Sequence, residues 1–278
     1  MFTLVDSLED LNYLNKELLE RPFVGVDTEF RRTTKDNMKL ALLQVNDNEE
    51  IYLIDTILIE KPEEHCSFLF SHDVVKIFHS CKEDIEAIYS WTGNILNNIF
   101  DTQLAEAFLG GEFSISYQGL VESKLGVVID KGETRSNWMR RPLTDSQLKY
   151  ATSDVEFLIH LYLEQELLLS NNNKIEWHEE ELSFLISKIF DQEFNLVESK
   201  SFLSKKEEEV ILNRFNDIVK QQALKEQVNP TLLFSKKNQK EFIKLILDIG
   251  LEKASKEITA WRSYILKDSL KNLLKEYL

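Results

Sequence analysis

Cysteine is nearly absent: Cys66 and Cys81 are the two in 278 residues, too few for a disulfide framework or a four-thiolate zinc site. That scarcity argues against a secreted scaffold and for a reducing cytoplasm. Long apolar runs are missing as well. No stretch reaches ~18 uninterrupted apolar residues, and residues 1–14 lack a basic region followed by an apolar one. Neither a membrane span nor a signal peptide is therefore predicted. Basic charge is in deficit, with 33 Lys and Arg against 48 Asp and Glu, a formal net charge of −15. Such a balance argues against a nucleic-acid partner bound by counterion release alone. Glycine is scarce and unevenly spread. Seven of the eight glycines precede residue 133 and only Gly250 follows, so turns concentrate early and the later sequence reads as long helices. What is present, 43% hydrophobic residues over this length, suffices for one or two packed domains and excludes disorder.

The acidity is local. Residues 1–170 hold 15 basic and 30 acidic side chains, 171–278 hold 18 of each, and 225–278 has 11 basic against 7 acidic. Short strand-like runs occur at 23–27, 40–45, 51–54, 74–78 and, more weakly, 99–100. Helical spacing occupies 7–19 and 83–91, and hairpin-length connections join the three runs between 23 and 54. This order predicts an α/β domain: a mixed sheet covered by helices. Thr144-Asp145-Ser146-Gln147 has the form of a capping box, followed by apolar positions that predict one helix over 145–168. Ser170-Asn171-Asn172-Asn173 is the predicted boundary, dividing the chain into 1–170 and an all-helical 171–278. In the second part Ser204 and Ser235 are predicted helix caps, Asn229-Pro230 interrupts, and 255–277 is helical in pattern. There is no repeat and no low-complexity tract.

Three groups of acids could carry chemistry. Val24-Gly25-Val26-Asp27-Thr28-Glu29-Phe30 is an apolar strand whose end presents Asp27 and Glu29 on one face. Two like charges at the end of a buried strand repel each other, and a divalent cation would offset them. A strand end simply meeting solvent fits the same tetrad. In Phe78-His79-Ser80-Cys81-Lys82-Glu83-Asp84 a strand runs into a helix whose first turn holds Asp84. Acids there are also favoured by the helix dipole. His79 has no second His or Cys at zinc spacing, which favours a packed histidine. Tyr150-Ala151-Thr152-Ser153-Asp154 puts a phenol and a carboxylate one turn apart on a helix, a position that propensity disfavours for Asp154.

As an ordered set these residues resemble the three motifs of the DEDD exonuclease superfamily, in its tyrosine subclass. Phe100-Asp101-Thr102-Gln103-Leu104-Ala105, Ser136-Asn137-Trp138, Arg141-Pro142-Leu143 and Gln147-Leu148 narrow the resemblance to the ribonuclease D family over about 1–170. A shorter similarity to that family's last helical region lies in Asn229-Pro230-Thr231-Leu232-Leu233, Trp261-Arg262 and Leu270. The family usually carries two helical HRDC-type modules, and 171–225 is too short and too acidic for a complete first one. That departure bears on substrate grip and processivity, since all four acids and the tyrosine are in place.

The resemblance implies a ribonuclease-H-like 3'-5' exonuclease domain followed by a partly HRDC-like helical region. It implies two divalent ions, Mg2+ or Mn2+, held by Asp27, Glu29, Asp84 and Asp154. Asp27 would bridge both ions, Glu29 and Asp154 would complete the site of the water-activating ion, and Asp84 would serve the other. Tyr150 would aim the attacking water, because a phenol of pKa about 10 is a poor base near neutrality. Nucleoside 5'-monophosphates would leave stepwise from RNA with a free 3' end, with tRNA precursors as the family's usual substrate and a cytoplasmic monomer as the form. Phe30 and Trp138 could stack on a terminal base and Arg140 and Arg141 could contact phosphate, with core packing as the other reading for the aromatics. Lys236, Lys237, Lys240 and Lys244 form an auxiliary basic helix or a solvated face. A DNA 3'-exonuclease of the same superfamily and a catalytically silent RNA-binding adaptor are the competing functions.

Overall fold

Buried β-rich runs build one sheet. In the computed structural model, which describes residues 2–34, 37–129, 132–133, 136–190 and 205–275, six strands are present: β1 (Phe2–Val5), β2 (Phe23–Thr34), β3 (Asn37–Asn46), β4 (Ile51–Ile54), β5 (Val75–Phe78) and β6 (Ile99–Asp101). Their order is β1-β4-β3-β2-β5-β6. The β2–β3 and β3–β4 pairs are antiparallel, as short connections require, and the β1–β4, β2–β5 and β5–β6 pairs are parallel. Strand β3 is buried almost end to end, so its sequence is a continuous apolar run instead of an alternation. Strand β1 has no counterpart among the predicted strands; three of its four residues are exposed, which leaves no apolar period to detect.

Helix α1 (Leu8–Leu19) starts where the Ser7 side chain accepts from the backbone N–H of Asp10. Helix α2 (Lys82–Thr92) ends at Gly93, whose φ of 71° is the left-handed value that glycine tolerates. Helices α3 (Thr102–Phe108), α4 (Tyr117–Leu125), α5 (Asp145–Glu156) and α6 (Leu158–Asn171) follow. The capping box at Thr144 is formed on both sides. The single helix predicted over 145–168 is instead two. At Phe157 the backbone leaves helical geometry and its N–H donates to the Tyr117 hydroxyl at 3.0 Å. A side chain from α4 thus takes over a hydrogen bond that a continuous helix would have kept. Helix α5 packs on β2, β3 and β4. Gly25 leaves room for the start of α6 against β2: a Cβ there would lie 3.1 Å from the Leu158 Cβ.

The chain divides into two units. One comprises the residues up to Ala105 together with Ile115–Leu168; the other comprises Glu106–Ser114 and the described part of 169–278. The second unit is helical: α7 (Ile175–Phe190), α8 (Lys205–Glu226), α9 (Pro230–Leu233), α10 (Lys236–Ile249), α11 (Leu251–Ala254) and α12 (Ala260–Lys275). The segment 106–114, predicted within the first domain, groups with these helices for identifiable reasons. Asn229 donates its backbone N–H to the Ala107 carbonyl and its side chain to the Gly111 carbonyl, and the Lys174 ammonium donates to the Phe108 carbonyl at 2.9 Å. The Phe108 ring meets Trp261 edge-on at 5.0 Å. Asn229 and Ser235 cap α9 and α10, and Gly250 ends α10. The predicted cap at Ser204 lies outside the described residues. No helix among the described residues is long and apolar enough to cross a membrane.

Candidate active site

Strand β2 delivers the first two acids. Asp27 and Glu29 are both half-buried and point to one face, while Thr28 between them is buried on the other. Asp154 comes from the last turn of α5, and its carboxylate joins the pair. One carboxylate oxygen from each of Asp27, Glu29 and Asp154 lies within 4.8 Å of the others, close enough to ligate a common metal ion. The acids border a cavity of about 230 Å³ lined also by Thr28, His79, Tyr117, Gln118 and Tyr150.

Asp84 reaches the site by a different route and is not one of that cluster of three. It is buried in the first turn of α2, where it accepts a 2.5 Å hydrogen bond from the Thr28 hydroxyl. The start of α2 is fixed by Asp101 on β6, whose carboxylate accepts the backbone N–H groups of Ser80, Cys81, Gln103 and Leu104. Ser80 holds a left-handed φ of 62° at that turn, so one carboxylate secures both the tight turn and the helix that presents Asp84.

Mutual repulsion dominates the electrostatics. Burial first, and then the charges of Asp84, Asp154 and Glu29, hold Asp27 well above the ordinary carboxylate range. Burial, with Asp154 and Asp84 adding to it, pushes Glu29 up to about 9. Asp84 is pushed up to about 7 by burial against the opposing hydrogen bond from Thr28. Burial likewise lifts Asp154 to about 7, opposed by a hydrogen bond from Tyr150. Beneath Asp27, the fully buried Gln44 amide approaches its Oδ2 at 3.4 Å. Acids held up by burial and by one another's charge are stabilised in their ionised form by added positive charge. Hard oxygen donors gathered in this way suit a divalent cation such as magnesium or manganese.

The remaining residues singled out from sequence separate. Tyr150 lines the cavity. Phe30 follows Glu29 on β2, half-buried, and does not line it. Trp138 is 4% exposed and packs its ring on Tyr150 at 6.1 Å, so it is not free to stack on a base and is corrected to a core residue. Arg141 is corrected too. All five N–H donors of its guanidinium are spent on protein: Nε and Nη2 on the Asp55 carboxylate, Nη2 also on the Ala41 carbonyl, and Nη1 on the carbonyls of Trp138 and Arg140. Nothing remains for a phosphate. Arg140 is exposed. His79 is a packed histidine, as its lack of zinc-spaced partners predicts, with ring nitrogens 2.9 Å from Thr102 Oγ1 and 3.0 Å from the Ile115 carbonyl. Tyr117 and Gln118 are cavity residues that sequence reasoning missed. The available signal was Ser116, which caps the helix that carries both.

Comparison with known proteins matches this geometry. Residues 2–169 fit the model of a 3'-5' exonuclease family. The ribonuclease D of Shewanella sp. strain ANA-3 is 37% identical over 181 residues, covering 65% of this chain and 47% of that protein. The chain therefore spans about half the length of the curated relatives it matches. Escherichia coli RNase D, described as an exoribonuclease involved in structured RNA processing, superposes over 99% of this chain and 75% of its own with a TM-score of 0.65 at 21% identity. Brucella melitensis NrnC with bound Mg2+ superposes over 73% of this chain and 98% of its own with a TM-score of 0.58 at 20% identity. At those identities the structures speak for the fold alone. The family model covers more than half of the chain and takes in all four acids and Tyr150, so the chain belongs to the 3'-5' exonuclease family.

Proposed function

We propose that this chain is a metal-dependent 3'-to-5' exoribonuclease that releases nucleoside 5'-monophosphates. The observation that carries the reading is the convergence of Asp27, Glu29 and Asp154 within 4.8 Å, beside Tyr150 in one cavity. Asp27, Glu29, Asp84 and Asp154 would hold two divalent ions, Mg2+ or Mn2+. Such ions, when bound, acidify water and supply positive charge for the phosphate and the leaving oxygen. Tyr150 would hold the attacking water by a hydrogen bond and direct it at the terminal phosphorus, which is orientation rather than proton abstraction. The hydrogen bond from its hydroxyl to Asp154 supports that task. Phe30 would stack on the terminal base from beside Glu29.

RNA as the polymer rests on the ribonuclease D relatives, and 3' extensions of structured RNA such as tRNA precursors are the substrate we assign. A monomer in the cytoplasm completes the proposal, with 1–170 as the catalytic domain and 171–278 as a partly HRDC-like helical region. The test is a time course on 3'-extended tRNA and a matched DNA strand, with magnesium, manganese or EDTA, for the natural protein and Asp27→Asn. Metal-dependent mononucleotide release from RNA, abolished in the variant, is expected. Full activity of Asp27→Asn, or a clear preference for DNA, would overturn it.

A further inference from the structure

The register of β2 against β3 slips next to the catalytic acids. Glu29 pairs with Leu42 and Phe30 with Leu40, which leaves Ala41 as an extra residue bulged out of the ladder. A bulge in a buried strand exposes a carbonyl that needs a donor. Arg141 supplies it at 2.7 Å from Nη2, while its Nη1 takes the carbonyl of Trp138 at 2.7 Å. The charge is balanced by Asp55, 1% exposed, whose side chain also accepts the backbone N–H groups of Ile57 and Leu58. Trp138, fixed in this way by its own carbonyl, lies against the Tyr150 ring. A continuous chain of contacts runs from the bulge at Ala41 through Arg141, which Asp55 holds, to Trp138 and Tyr150.

The geometry points to Arg141, with Asp55 as its counter-charge and Trp138 as its intermediary, as a positioning residue for Tyr150. This rests on the exonuclease reading of the site. A guanidinium offers planar donors in fixed directions, so it sets carbonyl positions as well as charge, and lysine cannot replace it. The Tyr150 ring has two degrees of freedom that bear on a bound water, its tilt and its approach to Asp154. Packing against Trp138 limits both. Misplacement on the scale of an ångström costs up to about 100-fold in rate when orientation is what a group contributes.

The experiment is a kinetic double-mutant cycle on the full chain with magnesium and 3'-extended RNA, using Arg141→Lys, Trp138→Phe and Tyr150→Phe singly and in pairs. Arg141→Lys and Trp138→Phe are each expected to lower kcat by about 10-fold or more, with KM and its salt dependence unchanged. In the Tyr150→Phe background neither should lower kcat further, because the hydroxyl they position is already gone. A raised KM with a shallower salt dependence in Arg141→Lys would mean that the arginine contacts phosphate and would overturn the proposal. Fully additive losses would overturn it as well, reducing the network to general stability. If Arg141→Lys does not fold, Asp55→Asn, which loosens the same guanidinium, takes its place in the cycle with the same expected and overturning results. Inactivity of the natural protein with every metal would be a different failure, that of the exonuclease reading itself.

Discussion

Four carboxyl groups that repel one another set the behaviour of individual residues in the site. In the metal-free chain Glu29 keeps its proton to about 9, and Asp84 and Asp154 to about 7, against ordinary values of 4.5 and 3.8. Between those limits the native state binds more protons than the unfolded one, so folding stability falls as pH rises. Below pH about 4 this contribution is complete, and above pH about 9 it is gone. The melting temperature in EDTA is therefore expected to decline from pH 5 to pH 9, and added magnesium or manganese should restore more of it at pH 8 than at pH 6, because the ions compete with protons. A pH-independent melting temperature in EDTA would contradict this. Asp27→Asn removes the most crowded charge and should stabilise the metal-free protein by about 1 kcal/mol while erasing most of the metal-induced rise, as calorimetry would show. Much of this was legible in the sequence. Asp27 and Glu29 stand two apart at the end of an apolar strand, and Tyr150 and Asp154 one turn apart, because these spacings are local. The role of Arg141 was not legible, since its partner Asp55 is 86 residues away and only folding brings the two together.

Among the elements, the junction of α5 and α6 carries the clearest prediction. Tyr117 is buried, and its hydroxyl receives the Phe157 N–H. Tyr117→Phe leaves that N–H only the Val155 carbonyl two residues back and should destabilise the protein by about 1 kcal/mol, read from the urea midpoint. A change within experimental error would mean that the interruption of the helix has another cause. The capping box at the start of α5 makes a smaller contribution, and Thr144→Ala should cost about 1 kcal/mol. The same junction explains a limit of sequence reasoning at this scale. Apolar spacing continues unbroken from Leu148 to Tyr162, so periodicity alone reports one helix. The acceptor that divides it sits 40 residues earlier, on a different helix. Strands with sustained apolar runs were recoverable, whereas β1 is too short and too exposed to announce itself.

At the scale of the whole molecule, each unit contains an arginine whose five donors all meet protein acceptors. In the helical unit it is Arg262, which pairs with Glu181 through both terminal nitrogens and donates to the Leu232 and Leu233 carbonyls and to Thr259. Its guanidinium also lies 4.7 Å from the Trp261 ring. Arg262→Met strands the Glu181 carboxylate and should cost about 3 kcal/mol in the helical unit. Hydrogen exchange would locate the loss in α7, α9 and α12, with the amides of β2 and β3 unaffected. Uniform acceleration across both units would show instead that they unfold as one. The segment 106–114 adds a matter of timing. It is flanked on both sides by chain of the first unit, yet its fixed partners belong to the second. A nascent chain grows at about 5–20 residues per second, so Asn229 is synthesised on the order of ten seconds after Ala107, whose carbonyl it will meet. During translation the chain on both sides of this segment is complete before the helices it joins exist.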